Sequence, residues 1–203
     1  MKQTILFPFL LAIVLHCVVM GQQVGVRKGN VFCFNQNGTI TELTHMGTDT
    51  LAVVCPEKQL VAFIRQQSDS LHEVWTMKVD GSVPQLVLRE HASDMPEHNM
   101  TGIDTLLFSL DCMKLYISTE AWAISPAVHE IDLETHRDRF LSAGSIESVI
   151  SKGEYKGFLI VQKHKYFVGG GSYDWYWVVD PRSGEEVGPI GEATDYFYQM
   201  LKK

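Results

Sequence analysis

Residues 50–88 contain four short apolar segments separated by turns, and this arrangement decides the fold. The segments read TLAVV at 50–54, LVAFI at 60–64, EVWTMKV at 73–79 and QLVL at 85–88. Segments of this length, rich in Val, Ile and aromatic residues, are typical of β-strands and too short for the helices of a globular domain. The stretch therefore predicts a unit of four antiparallel strands.

The third and fourth segments of this unit form the clearest predicted hairpin. Between residues 73 and 79, Val74, Thr76 and Lys78 alternate with larger apolar side chains, which is the period of two expected for a strand. Asp80-Gly81 follows at once, and glycine accepts the positive φ angles that tight hairpin turns require. The pattern predicts a turn at Asp80-Gly81.

The same four-segment pattern recurs along the chain. The equivalent segments are 105–108, 115–118, 128–133 and 139–141 in a second copy, 148–151, 158–161, 175–179 and 185–187 in a third, and 30–34 and 39–44 in an upstream copy that matches only the second half. The sequence therefore predicts about three and a half repeats of one four-stranded module, which indicates a repeat architecture of the all-β class.

The turn after the first segment carries a family resemblance. Residues 55–59, and in weaker form Ser109-Leu110-Asp111, are similar to the serine-proline-aspartate-glycine-lysine turn of TolB and the prolyl-oligopeptidase group. The similarity covers roughly residues 30–190 and implies blades of a β-propeller. Equivalent turn positions are 54 residues apart between Cys55 and Ser109, and 42 apart between Ser109 and Ser151. Blades of about 40–50 residues, one with an inserted loop, have this spacing.

The chain departs from the resembled family in length. Six such blades need roughly 240 residues or more, whereas this chain has 203. An incomplete ring leaves sheet faces uncovered, so we expect either a compact four-sheet arrangement or a homodimer that completes the ring. A β-sandwich with similar hairpins is the alternative. After the last strand, residues 192–201 predict a short C-terminal helix.

The N-terminal segment predicts export. Lys2 is followed by an almost uninterrupted apolar run from Ile5 to Met20 and then by polar residues. This is the pattern of a secretory signal peptide, and about 16 residues fall short of the roughly 20 that span a bilayer. We expect cleavage before Gln22, which leaves 22–203 as a single domain without a membrane span in the periplasm or outside the cell.

Composition and charge exclude some partners. The chain is 45% hydrophobic, and its formal net charge is -7. A globular domain is expected, and there is no excess of positive charge to neutralise phosphates, so nucleic acid is not expected as a partner. Three cysteines, Cys33, Cys55 and Cys112, follow the leader, so at most one internal disulfide can form. Because each lies in or beside an apolar segment, we expect buried free thiols.

An aromatic cluster in the third repeat is the best candidate binding surface. It consists of Tyr173, Asp174, Trp175 and Trp177, next to a glycine-rich loop. Tryptophan and tyrosine dominate binding hot spots, so the group suits a protein or a glycan partner. Alternation places Trp175 and Trp177 on one face of the strand, so core packing is the competing interpretation.

A second set of candidates precedes the first strands of the repeats, which line the axis of a propeller. His45, Asp49 and Asp104, with Glu147, would form a polar site there if they converge. This is the basis of an alternative function, a hydrolase-like enzyme with its site at the axial end of the blades. The competing interpretation is that the residues are polar because turns are solvated.

Other motifs carry weaker signals. Ser172 follows Gly169-Gly170-Gly171, but the strand after it does not fit a nucleophile elbow, so we expect a hairpin tip. His91, Asp94, Glu97 and His98 match no metal-ligand spacing, and we expect a solvated loop, no metal and no cofactor. Asn37-Gly38-Thr39 and Asn99-Met100-Thr101 are glycosylation sequons in predicted loops.

Together these patterns predict an exported, non-enzymatic binding module that recognises a protein or glycan through loops of a partial β-propeller. The enzyme described above and a structural component of an envelope assembly are the alternatives.

Overall fold

The chain folds into four antiparallel β-sheets. The structure, a computed structural model, describes residues 22–35, 37–69 and 71–193. The first sheet contains β1 Gln23–Arg27, β2 Asn30–Phe34 and β3 Ile40–Glu42; the second contains β4 Asp49–Cys55, β5 Leu60–Ser68, β6 Leu71–Lys78 and β7 Gln85–Arg89; the third contains β8 Thr105–Phe108, β9 Lys114–Trp122, β10 Ser125–Asp132 and β11 Asp138–Ala143; the fourth contains β12 Ser145–Val149, β13 Leu159–Tyr166, β14 Ser172–Val179 and β15 Glu186–Gly191. Two short 3-10 helices, Pro56–Lys58 and Pro96–His98, lie in the connections.

Strands within each sheet follow one another in sequence order, and every pairing is antiparallel. The turn predicted at Asp80-Gly81 is present. The Gly81 amide donates to the carbonyl of Lys78 at 2.8 Å, and Gly81 has a φ of 82°. The Asp80 carboxylate accepts a hydrogen bond from the Ser82 amide at 2.9 Å, which closes the turn.

Consecutive sheets pack face to face around one axis. The first strand of the second sheet, β4, contacts β8, and β8 in turn contacts β12. The strands that contain Leu51, Leu106 and Val149 are therefore neighbours around the axis, as a propeller requires. This confirms the prediction of a propeller-like all-β fold with about three and a half blades.

Three apolar clusters hold the sheets together, one at each interface between neighbours. The cluster between the second and third sheets includes Ile64, Val74, Leu106 and Ile117, all of them buried. Full burial of such side chains stabilises a fold by about 1.5–3 kcal/mol each. The second and third sheets carry apolar side chains on both faces, and each face packs against a neighbouring sheet.

The first sheet has three strands among the described residues. Its last strand, β3, leads directly into β4, just as β7 leads into β8 and β11 into β12. By this equivalence β3 occupies the outermost position, and the described strands of the first sheet correspond to the second, third and fourth of a complete blade. The partial repeat expected from residues 30–44 is thus present, with β1 added to it.

One expectation about the cysteines is wrong. Cys33 is a buried free thiol as expected, but Cys55 and Cys112 form a disulfide with Cα atoms 6.2 Å apart. Cys55 ends β4, and Cys112 lies in the turn after β8. The two turns meet because β4 and β8 are neighbours around the axis, so the disulfide joins the second sheet to the third.

The predicted signal peptide, residues 1–21, lies outside the described residues, and so does the predicted C-terminal helix from residue 194 onward. In the part of the chain that the structure describes, no helix has the length and apolar character to cross a bilayer.

Candidate functional site

The hairpin that connects β13 and β14 is the most exposed apolar element of the described chain. The two strands pair along their length as far as Tyr166 and Ser172. At the tip, the Phe167 amide donates to the carbonyl of Gly171 at 3.0 Å, and Gly170 and Gly171 have positive φ angles of 96° and 85°. The glycines are therefore turn residues of a hairpin, as the sequence predicts, and Ser172 begins a strand with its side chain exposed.

Aromatic rings contact one another at tilted angles along one side of this hairpin. The ring centroids of Phe167 and Tyr173 are 4.6 Å apart, and those of Tyr173 and Trp175 are also 4.6 Å apart. Phe167 is 51% exposed, and Val168 next to it is fully exposed. We call Phe167, Val168, Tyr173 and Trp175 the hairpin patch. Its rings hold one another in place while leaving apolar surface open to solvent.

Charged side chains support the base of the hairpin patch. Lys163, opposite Trp175 in the register, is buried and donates to Glu186 at 2.9 Å and to the Ser142 hydroxyl. Lys165 also donates to Glu186, and its ammonium lies 3.7 Å from the centroid of the Trp177 ring. These contacts tie β13 to the last strand and to the third sheet, so the hairpin is anchored rather than free to swing.

The pKa shifts of this group follow from its burial and pairing. Burial opposes the charge on Glu186, but hydrogen bonds from Lys165 and Lys163 outweigh it, and the pKa of the carboxyl lies below its usual value. Burial lowers the pKa of Lys163, although its hydrogen bond to Glu186 acts in the opposite direction. The hydrogen bonds from both lysines thus favour the charged form of Glu186 despite its burial.

The predicted binding residues do not all share one face. Tyr173, Trp175 and Trp177 lie on the side of β14 that carries Val179, which packs toward the third sheet. Trp177 is half-buried, and its indole nitrogen has no hydrogen-bond partner among the described residues. The predicted alternation is therefore present, with Trp177 in the packed part of the strand and Trp175 nearer the tip.

Asp174 lies on the opposite face from these aromatic rings. Its carboxylate is 2.8 Å from Nδ1 of His164, and its side chain is 60% exposed. Tyr166 lies on the same face, with its ring edge-on to His164 at a centroid distance of 5.1 Å. Asp174 is thus separated from the hairpin patch by the thickness of the sheet. Sequence reasoning did not single out Val168, although its position before three glycines is the signal of an exposed tip.

The axial candidates are held by separate partners. Asp49 is buried, accepts a hydrogen bond from Nε of Arg65 at 2.8 Å and pairs with the Thr44 hydroxyl. His45 is exposed and lies 3.6 Å from Glu42. Asp104 is exposed and accepts a hydrogen bond from the Thr105 hydroxyl at 2.8 Å. Asp49 is therefore a structural anchor for the start of β4.

The space between the inner strands contains a cavity with a mainly apolar wall. A cavity of about 430 Å³ lies between β1, β4 and β8, and Val24, Ala52, Val53 and Leu107 form most of its wall. His45, Asp49 and Asp104 are not among the residues that line this cavity.

The remaining candidates occupy surface loops. Asp94 and His98 are exposed in the long connection between β7 and β8, and Pro96–His98 forms a 3-10 turn there. Among the described residues, Cys55, Glu57 and Cys112 bring three ligand-type atoms within 4.8 Å of one another. The two sulfur atoms of that group are bonded to each other, so it functions as a covalent link between sheets.

Comparison with known proteins identifies similar folds but no matching family. No protein-family model matches the sequence, and no curated protein matches it. Among solved structures, TolB from Agrobacterium tumefaciens superposes with a TM-score of 0.60 at 9% identity, over 85% of this chain and 58% of that one. The β-propeller domain of the Trilobed protease from Pyrococcus furiosus gives 0.51 at 13% identity, over 84% and 53%.

An enzyme also appears among the similar structures. Oligogalacturonate lyase from Vibrio parahaemolyticus superposes with a TM-score of 0.54 at 11% identity, over 80% of this chain and 43% of that one. The chain thus spans about half the length of the structures it matches. The fold is that of TolB-like β-propellers, and this fold occurs in an enzyme as well as in TolB, so the fold alone does not select an activity.

Proposed function

We propose that this protein is an exported, non-enzymatic binding module that recognises a protein partner through the hairpin patch. The observation that carries the proposal is the exposure of Phe167 and Val168 at the end of an anchored hairpin, next to the contacting rings of Tyr173 and Trp175. Clustered aromatic surface of this kind, held in one conformation before binding, is the usual core of a protein interface.

The chemistry of the hairpin patch favours a protein over a glycan. Val168 is the most exposed large apolar side chain of the described residues, and Phe167 has no polar atom in its side chain. The carboxylate of Asp174, a natural partner for sugar hydroxyls, lies on the other face, against His164. An apolar side chain in a partner would fill the space beside Phe167 and Val168.

The enzyme alternative receives less support from the site geometry. General acid–base chemistry needs ionisable groups that converge on one place. Asp49 is paired with Arg65 and Thr44, whereas His45 and Asp104 are exposed and contact other residues. The apolar wall of the axial cavity gives a polar substrate little to bind.

Export is supported by two independent features. The apolar leader at Ile5–Met20 has the pattern of a signal peptide, and the Cys55–Cys112 disulfide suits an oxidising compartment. We place the mature domain in the periplasm or outside the cell. Fusing residues 1–30 to alkaline phosphatase, an enzyme that becomes active only where its disulfides can form, tests this. An active fusion is expected, and a fusion that is made but stays inactive contradicts export.

A photo-crosslinking amino acid at Phe167 tests the binding surface in cells that make the protein. We expect a crosslink to one protein of defined mass. The matched control carries the same amino acid at Val83, which is 69% exposed and lies in the turn between β6 and β7. Equal labelling from both positions, or none from Phe167, contradicts the proposal.

A homodimer that completes the ring is retained as a proposal. Phe34 and Ile40 are paired neighbours on the face of the first sheet that points away from the second, and both are exposed. A second copy would cover this apolar surface. Light scattering after size-exclusion chromatography tests this: a dimer is expected, and a monomer of 22.9 kDa or less contradicts it.

A further inference from the structure

The two glycosylation sequons lie in different structural settings. Asn37-Gly38-Thr39 lies in the turn between β2 and β3, and all three of its residues are exposed. Asn99-Met100-Thr101 lies in the long connection between β7 and β8, where Met100 is fully buried and Asn99 and Thr101 are half-buried. A glycan needs open solvent around the acceptor nitrogen, so the two sequons are not equivalent.

At the first sequon the acceptor nitrogen has no hydrogen-bond partner among the described residues. Oδ1 of Asn37 accepts hydrogen bonds from the Thr39 amide at 3.0 Å and from the Thr39 hydroxyl at 2.7 Å. These bonds use the oxygen of the side-chain amide, and among the described residues Nδ2 of Asn37 donates to no acceptor. A Cβ atom built at Gly38 meets nothing within 4 Å, which shows that the space around the turn is open.

At the second sequon both hydrogens of the acceptor nitrogen are in use. Nδ2 of Asn99 donates to the Thr101 hydroxyl at 2.8 Å and to the carbonyl of Glu120 at 2.8 Å. The Asn99 carbonyl accepts a hydrogen bond from the Thr119 hydroxyl at 3.0 Å. Asn99 thus fastens the long connection to β9, and its amide points at the protein.

We propose that Asn37 is an acceptor for N-linked glycosylation and that Asn99 is not, so that the folded, secreted protein carries a single glycan on the turn between β2 and β3. The sugar donor is an oligosaccharide on a polyprenyl diphosphate carrier. The bond formed joins Nδ2 of Asn37 to the anomeric carbon of the first sugar. The bond broken joins that carbon to the diphosphate, which leaves with the carrier, while Nδ2 loses one proton to a base of the transferase.

The geometry explains why Asn99 does not persist as a glycosylated residue. A glycosylated amide nitrogen keeps one hydrogen, so one of the bonds to Thr101 and Glu120 would be lost, and the sugar would have to occupy the place of that partner. A chain modified at Asn99 before folding could not close the connection onto β9. At Asn37, glycosylation breaks no hydrogen bond of the described structure, because only the side-chain oxygen is used there.

The experiment expresses the full chain in eukaryotic secretory cells and digests the secreted protein with an N-glycan-cleaving enzyme before mass analysis. We expect one glycan, removed by Asn37→Gln and retained in Asn99→Gln. In folded, secreted protein, a glycan on Asn99 or an unmodified Asn37 overturns the proposal. Because Asn99→Gln disturbs the fastening of the connection, Thr101→Ala, which removes the second sequon differently, is the companion variant.

The inference rests on the proposed export of the protein. A second arm of the experiment tests glycosylation of Asn37 separately from export by the chain's own leader. In that arm residues 1–21 are replaced by a eukaryotic secretory leader, so entry into the secretory pathway does not depend on the chain's own segment. Glycosylation in this arm but not in the full chain contradicts the proposed leader and supports the acceptor assignment. Secretion without a glycan on Asn37 in this arm overturns the assignment and leaves the leader untouched.

Discussion

Two regions of the molecule are rich in large apolar residues: the interface between the second and third sheets, and the hairpin of the fourth sheet. The interface buries these side chains, whereas the tip of the hairpin exposes them. At the interface, Leu115 and Ile117 are fully buried, and the buried carboxylate of Glu90 accepts hydrogen bonds from the His72 amide at 2.7 Å and the Ile103 amide at 3.1 Å. At the hairpin, Phe167 and Val168 are open to solvent.

The buried apolar side chains contribute to the stability of the fold, whereas the exposed ones contribute little to stability and are available for binding. Removing a contact from the interface should cost stability, because nothing replaces it. Removing the exposed side chain of Phe167 or Val168 should cost much less stability and should mainly affect what binds there. The predictions below test this division.

The largest effect is expected from the disulfide that crosses the interface. In Cys55→Ser/Cys112→Ser, the unfolded chain is no longer constrained across 57 residues of sequence. A loop of this size predicts a loss of about 4 kcal/mol in the free energy of unfolding. Urea denaturation monitored by tryptophan fluorescence measures it. As a control, a reducing agent should bring the wild type down to the value of the variant and leave the variant unchanged; a loss below about 1 kcal/mol would count against the role of the disulfide.

The next effect comes from His129, which is fully buried on the face of β10 that carries Ile131 and has no hydrogen-bond partner on either ring nitrogen among the described residues. Burial lowers its pKa to about 4, with His98 and His91 acting in the same direction and Asp138 against them. In the unfolded chain this histidine takes up a proton near pH 6.5. As the pH falls from 6.5 toward 4, protonation therefore favours the unfolded state, and the free energy of unfolding falls; above pH 6.5 His129 has no such effect.

Between pH 7.5 and 5, this linkage lowers the free energy of unfolding by about 2 kcal/mol. His129→Leu should remove that part of the pH dependence, whatever its effect on stability at neutral pH. Denaturation curves of both proteins across this range give the comparison. Parallel pH profiles for the wild type and the variant would show that His129 does not carry the effect.

The sequence predicts the interface much better than the functional surface. Strand periodicity and the Asp80-Gly81 turn specify local pairings, and repetition of the pattern specifies that sheets stack, since each copy needs a neighbour to bury its faces. The Cys55–Cys112 link was not foreseeable, because it depends on the approach of two turns 57 residues apart in sequence. The same holds for Asp49, whose burial against Arg65 is a tertiary contact.

The hairpin patch was predicted in part for the same reason. Alternation assigns Trp175 and Trp177 to one face of β14. How much of each ring is exposed depends on how far the third sheet extends over that face, which the sequence does not show. Asp174 falls on the other face by the same alternation, so grouping it with the aromatic residues followed their closeness in sequence rather than their arrangement in space.

The smallest stability effect, and the sharpest test of the division, is expected at Phe167. Because its ring is 51% exposed and its aromatic contact is with Tyr173, Phe167→Ser should lower the free energy of unfolding by no more than about 1.5 kcal/mol. The same variant should lose the partner's binding, since truncating a central aromatic residue of an interface costs about 2 kcal/mol or more. Denaturation and competition against wild-type protein in the crosslinking experiment measure the two quantities. Val83→Ser, an exposed apolar residue outside the hairpin patch, should leave both unchanged. A Phe167→Ser variant that is destabilised as strongly as an interface variant would show that the hairpin belongs to the packed fold and that its aromatic stack is a core.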